Sequence, residues 1–336
     1  MAITTEAVEM AVVRKNILTD TVARDAYIAG VQLLKQENSA FTTADFGIGG
    51  PAAPVRTYDL FVIWHIWAMR TPVPPGGNPK MRNAAHMGPI FLPWHRVMLN
   101  LFEANLQRVL GDTGFGLPYW DWAEDGELDH PKNSAFWQPD CMGGTGTLLA
   151  PTVMDGPFAF KPAAPNGFRV RIATNQNLEL VQADRGLRRV FGADEDSLPT
   201  HDHVSAALHA GAPGGNPSLA TYDFTPWDRT SKGFRNCLEG WNPYGLHNQV
   251  HAWIGRDMGL ASSPNDPVFY LHHCNVDRIW EGWMSRHGRT YLPGRTAPAA
   301  LKGHRVDDPI ISPLGGAATP GTVLDATNLF TYDVLP

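Results

Sequence analysis

Histidine sits inside the most apolar helical stretches of this 336-residue chain, and nothing else in it constrains the fold as much. His65 lies mid-segment in Tyr58 to Met69, between Trp64 and Trp67, and His95 begins the run Trp94 to Leu110. His247 and His251 share Tyr244 to Ile254, and His273 lies in the run that starts at Asp266 or Pro267 and ends near Arg286. The HNQVH spacing puts His247 and His251 on one helical face, where both imidazoles reach one ion. His86 falls in a loop, AAHMGP. A lone histidine on an apolar helix is more often a satisfied core residue than a ligand. Six in one context, among tryptophan-lined helices where an unpaired imidazole is costly, form two groups of three.

The remaining helix signals are few. Thr19 to Lys35 has helical periodicity, with Val22, Ala26, Ala29 and Leu33 apolar after a Thr/Asp start. Tyr58 to Met69 must stop at TPVPPGGNP, where proline forbids continuation. Pro93 is placed to launch Trp94 to Leu110 and Gly111 to close it. Asp266 is expected to cap the last helix, with Pro267 in its first turn. From Ala123 to Arg235 the chain is rich in Gly, Pro, Asp and Asn, with short periodic pieces such as Leu178 to Val190. It reads as long packed loops with small helices or strands. The tail from Thr290 is again Pro/Gly-rich and ends in the apolar stretch Leu329 to Leu335. One mainly α domain over residues 1–336 is expected, with a loop-rich tail at 290–336 and little β.

Composition removes several functions. A formal net charge of −6 without a Lys/Arg block argues against nucleic acid as a partner. No window approaches the roughly 18 apolar residues that span a bilayer, so a membrane is not expected either. Met1 to Met10 carries Glu6 and Glu9 and does not read as a secretion signal. Three cysteines leave one unpaired at best, so this is no disulfide scaffold, and a cytoplasmic location is expected. Eleven tryptophans are many; core packing explains most of them, though such rings also wall rigid sites.

The donor set then selects the metal. A zincin places Glu directly after the first His of its pair, where this chain has Asn248. A carboxylate di-iron bundle needs two Glu-x-x-His motifs, and only Glu127 to His130 fits, in a turn-prone acidic stretch. His130, His201, His203 and His209 lie in the polar loop region and read as solvated. All-imidazole sites suit copper, and two adjacent His₃ sites leave open positions for dioxygen.

At these residues the chain resembles the tyrosinase superfamily: tyrosinases, catechol oxidases and, more distantly, molluscan haemocyanins. His65 and HMGPIFLPWHRVML (His86 to Leu99) look like the first copper block. HNQVHAWIG (from His247) and SPNDPVFYLHHCNVDRIW (Ser263 to Trp280) look like the second. LPYWDW (Leu117 to Trp122), VRKN (Val13 to Asn16) and LFTYD (Leu329 to Asp333) are similar to further landmarks of the family. The resemblance implies a four-helix bundle with two copper ions, one on His65, His86 and His95, the other on His247, His251 and His273. It also decides between His272 and His273, the second of the pair being the family's ligand. Phe91 and Phe269, each four residues before a ligand, match aromatics that pack on ligand imidazoles at the substrate pocket. Glu239 and Asn248 match a pair that, in bacterial tyrosinases, holds a water helping to deprotonate a phenol. Ala252 and Leu260 stand at the presumed pocket edge, without a charge to select an amino-acid substrate.

Parts of the family pattern are missing. No cysteine lies between His65 and His86, so the thioether that many plant and fungal members make to the second histidine of the first site is absent. No large C-terminal plugging domain is visible, which suggests the short bacterial type, often loaded with copper by a small helper protein. The implied activity is oxidation of phenols or o-aminophenols by dioxygen, with ortho-hydroxylation of monophenols also implied. A haemocyanin-like oxygen carrier and a zinc protein stay open as rivals.

Overall fold

The structure is a computed structural model that describes residues 11–164, 167–209, 217–312 and 317–336. Met1 to Met10, read above as lacking a secretion signal, lies outside the described residues. Eight α-helices are described: α1 (Thr21–Gln36), α2 (Thr57–Arg70), α3 (Phe91–Leu110), α4 (Trp122–Gly126), α5 (His201–Leu208), α6 (Phe234–Glu239), α7 (Leu246–Ile254) and α8 (Val268–His287). Strands are short and lie in two-stranded pairs: β1 (Val12–Arg14) parallel to β6 (Phe330–Tyr332), β2 (Asn38–Thr42) antiparallel to β3 (Pro54–Arg56), and β4 (Val170–Thr174) antiparallel to β5 (Leu180–Arg185). The mainly α expectation with little β matches this architecture, and Leu178 to Val190 holds strand β5. Among the described residues no helix is long and apolar enough to cross a membrane.

Each long helix starts for a local reason. Asp20 caps α1 by accepting the Ala23 N–H at 2.9 Å. α3 begins at Phe91, three residues before the expected Trp94. Pro93 is therefore its third residue, where no intrahelical N–H is yet required. Gly111 ends α3 at φ +66°, a left-handed turn that other residues adopt at a cost. Asp266 accepts the Val268 N–H at the start of α8, from one position before the cap. Its two oxygens also take both arms of Arg189 at 2.7 Å, with neither side chain exposed. This buried bidentate pair fastens the loop region to the helix that carries His273.

α1 lies across α2 and α3, and α8 packs on α3 and α7. The crossing of α1 and α3 is close: a Cβ added at Gly30 would sit 2.7 Å from Leu106 Cδ2. Trp64, Trp94, Trp120, Trp122, Trp280 and Trp283 are fully buried, which is core packing rather than pocket wall. Trp64 and Trp94 flank His65 and His95, and both indole N–H groups donate to the Ile311 carbonyl in the tail at 3.2 Å. Asp277, one turn beyond His273, accepts from Arg96 at 2.7 Å, Arg14 at 3.4 Å and Tyr332 at 2.7 Å, so it ties both chain ends to α3 and α8. None of the three cysteines is bridged.

Candidate metal centre

α2, α3, α7 and α8 bring their histidines to one place. His65 (α2), His95 (α3) and loop-borne His86 form one group, with ring centroids 4.9 to 6.0 Å apart. His247 and His251 (α7) and His273 (α8) form the other, at 4.5 to 5.5 Å. Within each group the candidate donor atoms lie within 4.8 Å of one another. His130, His201, His203 and His209 are exposed, away from both groups, as their polar surroundings suggested.

The hydrogen bonds set the tautomers. Nδ1 donates to a main-chain carbonyl in His65 (Ala261, 2.7 Å), His95 (Phe91, 2.7 Å), His247 (Glu239, 3.2 Å) and His251 (Met258, 2.6 Å). A carbonyl only accepts, so the proton sits on Nδ1 and Nε2 keeps its lone pair. In His65, His95 and His247 that Nε2 is buried and has no protein partner. Orphaned acceptors of this kind cost about 1–3 kcal/mol each, and a metal ion held by each group would offset that cost while the carbonyls hold the rings. Burial pushes the His65 and His251 imidazoles down to about 4, and pushes His86, His95, His247 and His273 well below the usual range. All six are neutral at pH 7, as ligation requires.

A seventh histidine, set aside above in favour of His273, also stands in the second group. His272 is fully buried in the second group, stacks on His247 at 5.1 Å, and neither of its ring nitrogens has a hydrogen-bond partner. The HH dipeptide in an apolar helix was the available signal. The two differ in facing: His273 stacks flat on His95 of the first group at 4.2 Å, whereas His272 meets Trp122 and the second group.

Phe91 and Phe269 are completely buried and stand behind the imidazoles, not at the cavity wall. Phe91 packs on His95 and His247, both at 4.8 Å; Phe269 packs on His273 at 4.2 Å and His65 at 5.2 Å. A cavity of about 240 Å³ opens over the two groups. Its wall includes Asn248 and Leu260, together with Met69, Met87, Trp241 and Met258, which sequence reasoning did not single out, and no Asp, Glu, Lys or Arg. Ala252, next to His251 on α7, is half-buried and outside that wall. The Asn248 Nδ2 is buried without a partner, while its Oδ1 lies 3.0 Å from His247 Nδ1. Glu239 is fully buried, its two oxygens taking the Met87 N–H and Arg235, each at 2.6 Å. Burial raises its carboxyl pKa, against the pull of Arg235.

Two adjacent, buried, neutral all-imidazole groups on a helical bundle define a dinuclear metal protein whose donors suit copper. The common central domain of tyrosinase matches residues 55–286, and the chain belongs to this family. A tyrosinase of Streptomyces antibioticus is 38% identical over 278 residues, covering 82% of this chain and 89% of that protein. The grixazone synthase of Streptomyces griseus is 37% identical over 303 residues, covering 82% and 90%. The fold matches a single-site mutant of a polyphenol oxidase from Thermothelomyces thermophila with a TM-score of 0.66 at 20% identity, over 96% of this chain and 88% of that one. The protein is a copper-dependent phenol oxidase of the short bacterial type and binds two copper ions.

Proposed function

We propose that the enzyme oxidises o-diphenols and o-aminophenols to o-quinones and quinone imines, and also ortho-hydroxylates monophenols. His65, His86 and His95 hold one copper; His247, His251 and His273 hold the other. His273 is preferred to His272 because it faces the first group across the His95 stack. The observation that carries the ligand set is the convergence of the six histidines in two groups of three, in which His65, His95 and His247 each bury an Nε2 without a protein partner, aimed by an Nδ1–carbonyl bond. When bound, the copper pair supplies the activation of dioxygen and accepts electrons from the ring.

The chain's own residues do the rest. Phe91 and Phe269 brace the imidazoles from behind. The small cavity admits a single ring and offers it no fixed charge, which favours simple phenols and aminophenols over amino acids. Asn248 points an unpartnered amide into this region, and the Glu239 carboxylate, which accepts from Met87, Arg235 and Trp241, has four lone pairs to offer and so keeps one free. The two are read as holding the water that takes a monophenol's proton. Delivery of copper by a small helper protein belongs to the same reading, since the ligands are reached through a cavity of about 240 Å³.

A rate survey over phenol, catechol and o-aminophenol tests the proposal. Turnover of catechol and o-aminophenol is expected, with slower phenol hydroxylation. Oxygen binding without turnover would make the protein a carrier instead.

A further inference from the structure

His86 is the only one of the six histidines that no helix carries, and its Nδ1 is buried without a partner. Four of the others are aimed by an Nδ1–carbonyl bond, and His273 is clasped between the rings of His95 and Phe269, each 4.2 Å away. No cysteine is near in sequence to tether its ring. The direction of His86 therefore depends on the backbone around it, and that backbone is held by side chains. Asn83 Oδ1 accepts the N–H groups of Ala85 and His86 at 3.1 and 2.9 Å. Tyr222 donates to the Pro89 carbonyl at 2.7 Å, and His304 Nδ1 accepts the Ile90 N–H at 3.3 Å. Met87 has a left-handed φ of +62°, unusual for a residue with a Cβ, and its N–H donates to Glu239 Oε1 at 2.6 Å.

Glu239 has a second role in the same frame. Its main-chain carbonyl accepts from His247 Nδ1 at 3.2 Å, so one residue touches the loop of the first group and a ligand of the second. Its other oxygen is gripped by Arg235 at 2.6 Å, with both side chains fully buried. Arg235 in turn binds Asp223 at 2.8 Å and the Asp228 carbonyl at 2.9 Å. We infer that Arg235 is a positioning residue: through Glu239 it locks the His86 loop to the His247 helix and sets the separation of the two copper sites. This rests on the proposed ligand set but not on the proton-accepting role of Glu239 and Asn248.

The test compares wild type, Arg235→Met, Arg235→Lys and Asn248→Ala by amide hydrogen exchange and copper content. In metal-free wild type the Met87 amide is expected to exchange slowly, because its partner is a carboxylate and not the metal. Arg235→Met is expected to speed that exchange about 10–100-fold, the worth of a charge-assisted buried hydrogen bond. Copper should fall from two per chain towards one, while the amides of Val276 and Ile279 in α8 stay protected. Arg235→Lys should restore both readouts in part. Asn248→Ala should leave Met87 exchange at the wild-type value whatever it does to turnover or copper, which keeps this inference separable from the proton-acceptor reading. Wild-type copper and Met87 exchange in Arg235→Met would overturn the inference. Should that variant lose α8 protection and so fail to fold, the wild-type measurement still decides: fast Met87 exchange in folded metal-free protein overturns it equally.

Discussion

The imidazoles of His95 and His273 lie face to face, 4.2 Å between centroids and within 7° of parallel. One comes from α3 and the other from α8, helices far apart in the chain. Their contact makes the two histidine groups neighbours, which a pair of coppers acting on one dioxygen requires. Each ring is held from behind by a phenylalanine, Phe91 on His95 and Phe269 on His273.

Removing one imidazole from either group should therefore disable the pair. His95→Ala and His251→Ala are expected to lose oxidase activity and to hold fewer than two coppers per chain. The fold should survive, because α3 and α7 bury apolar faces of their own, including Leu106 and Val250. Metal analysis alongside circular dichroism checks this; two coppers with undiminished turnover in either variant would refute the ligand set.

The proposed proton-accepting role of Glu239 and Asn248 predicts a change in ratio. Asn248→Ala, and Glu239→Gln compared at full copper loading, should depress monophenol hydroxylation far more than catechol oxidation. General-base assistance is worth about 10²–10⁴-fold, and a catechol is less dependent on it. Equal loss of both activities at equal copper would make the two residues structural supports.

Legibility in the sequence followed the locality of the signal. The helices carrying His65, His95, His247 and His273 were readable because apolar periodicity, prolines and caps act over a few residues. The start of α3 was misplaced because Pro93, read as the launch of the helix, is tolerated just as well at its third position. The choice between His272 and His273 rested on the family resemblance alone, because two adjacent histidines point to different sides of one helix and only packing reveals that both are buried. Nothing local announces the parallel pairing of Val12–Arg14 with Phe330–Tyr332, the Arg189–Asp266 pair, or the shared Ile311 carbonyl under Trp64 and Trp94. The grip of Glu239 on Met87 spans 152 residues and was equally invisible.

The buried histidines also predict how the metal-free protein responds to acid. His65 and His251 titrate near 4 when folded, against about 6.5 when unfolded. The unfolded chain then binds more protons between those values, so stability should fall as pH drops from about 6.5 to about 4. Each such histidine adds up to about 1.4 kcal/mol per pH unit to the slope. Urea unfolding of metal-free protein between pH 7 and pH 4 measures this, and copper loading should move the loss to lower pH. A flat profile across that window would contradict neutral, buried ligands.

Substrate choice should follow the uncharged cavity. Catechol and o-aminophenol are expected to exceed L-tyrosine in kcat/KM. Leu260 is about half exposed at the cavity edge, and Leu260→Arg should raise kcat/KM for carboxylate-bearing phenols by about tenfold, the return from one charge-assisted hydrogen bond of about 1.5 kcal/mol. Steady-state rates on both substrate sets decide it. A native preference for L-tyrosine would mean that charge at the cavity does not set the choice.

Two coppers must act together for this site to work, and oxygen uptake with catechol, followed as metal-free protein is titrated with copper, tests that directly. The predicted result is negligible uptake in the fraction of chains holding one copper, and uptake that rises to its plateau as occupancy reaches two per chain. Full uptake at one copper per chain, or none at two, would contradict it.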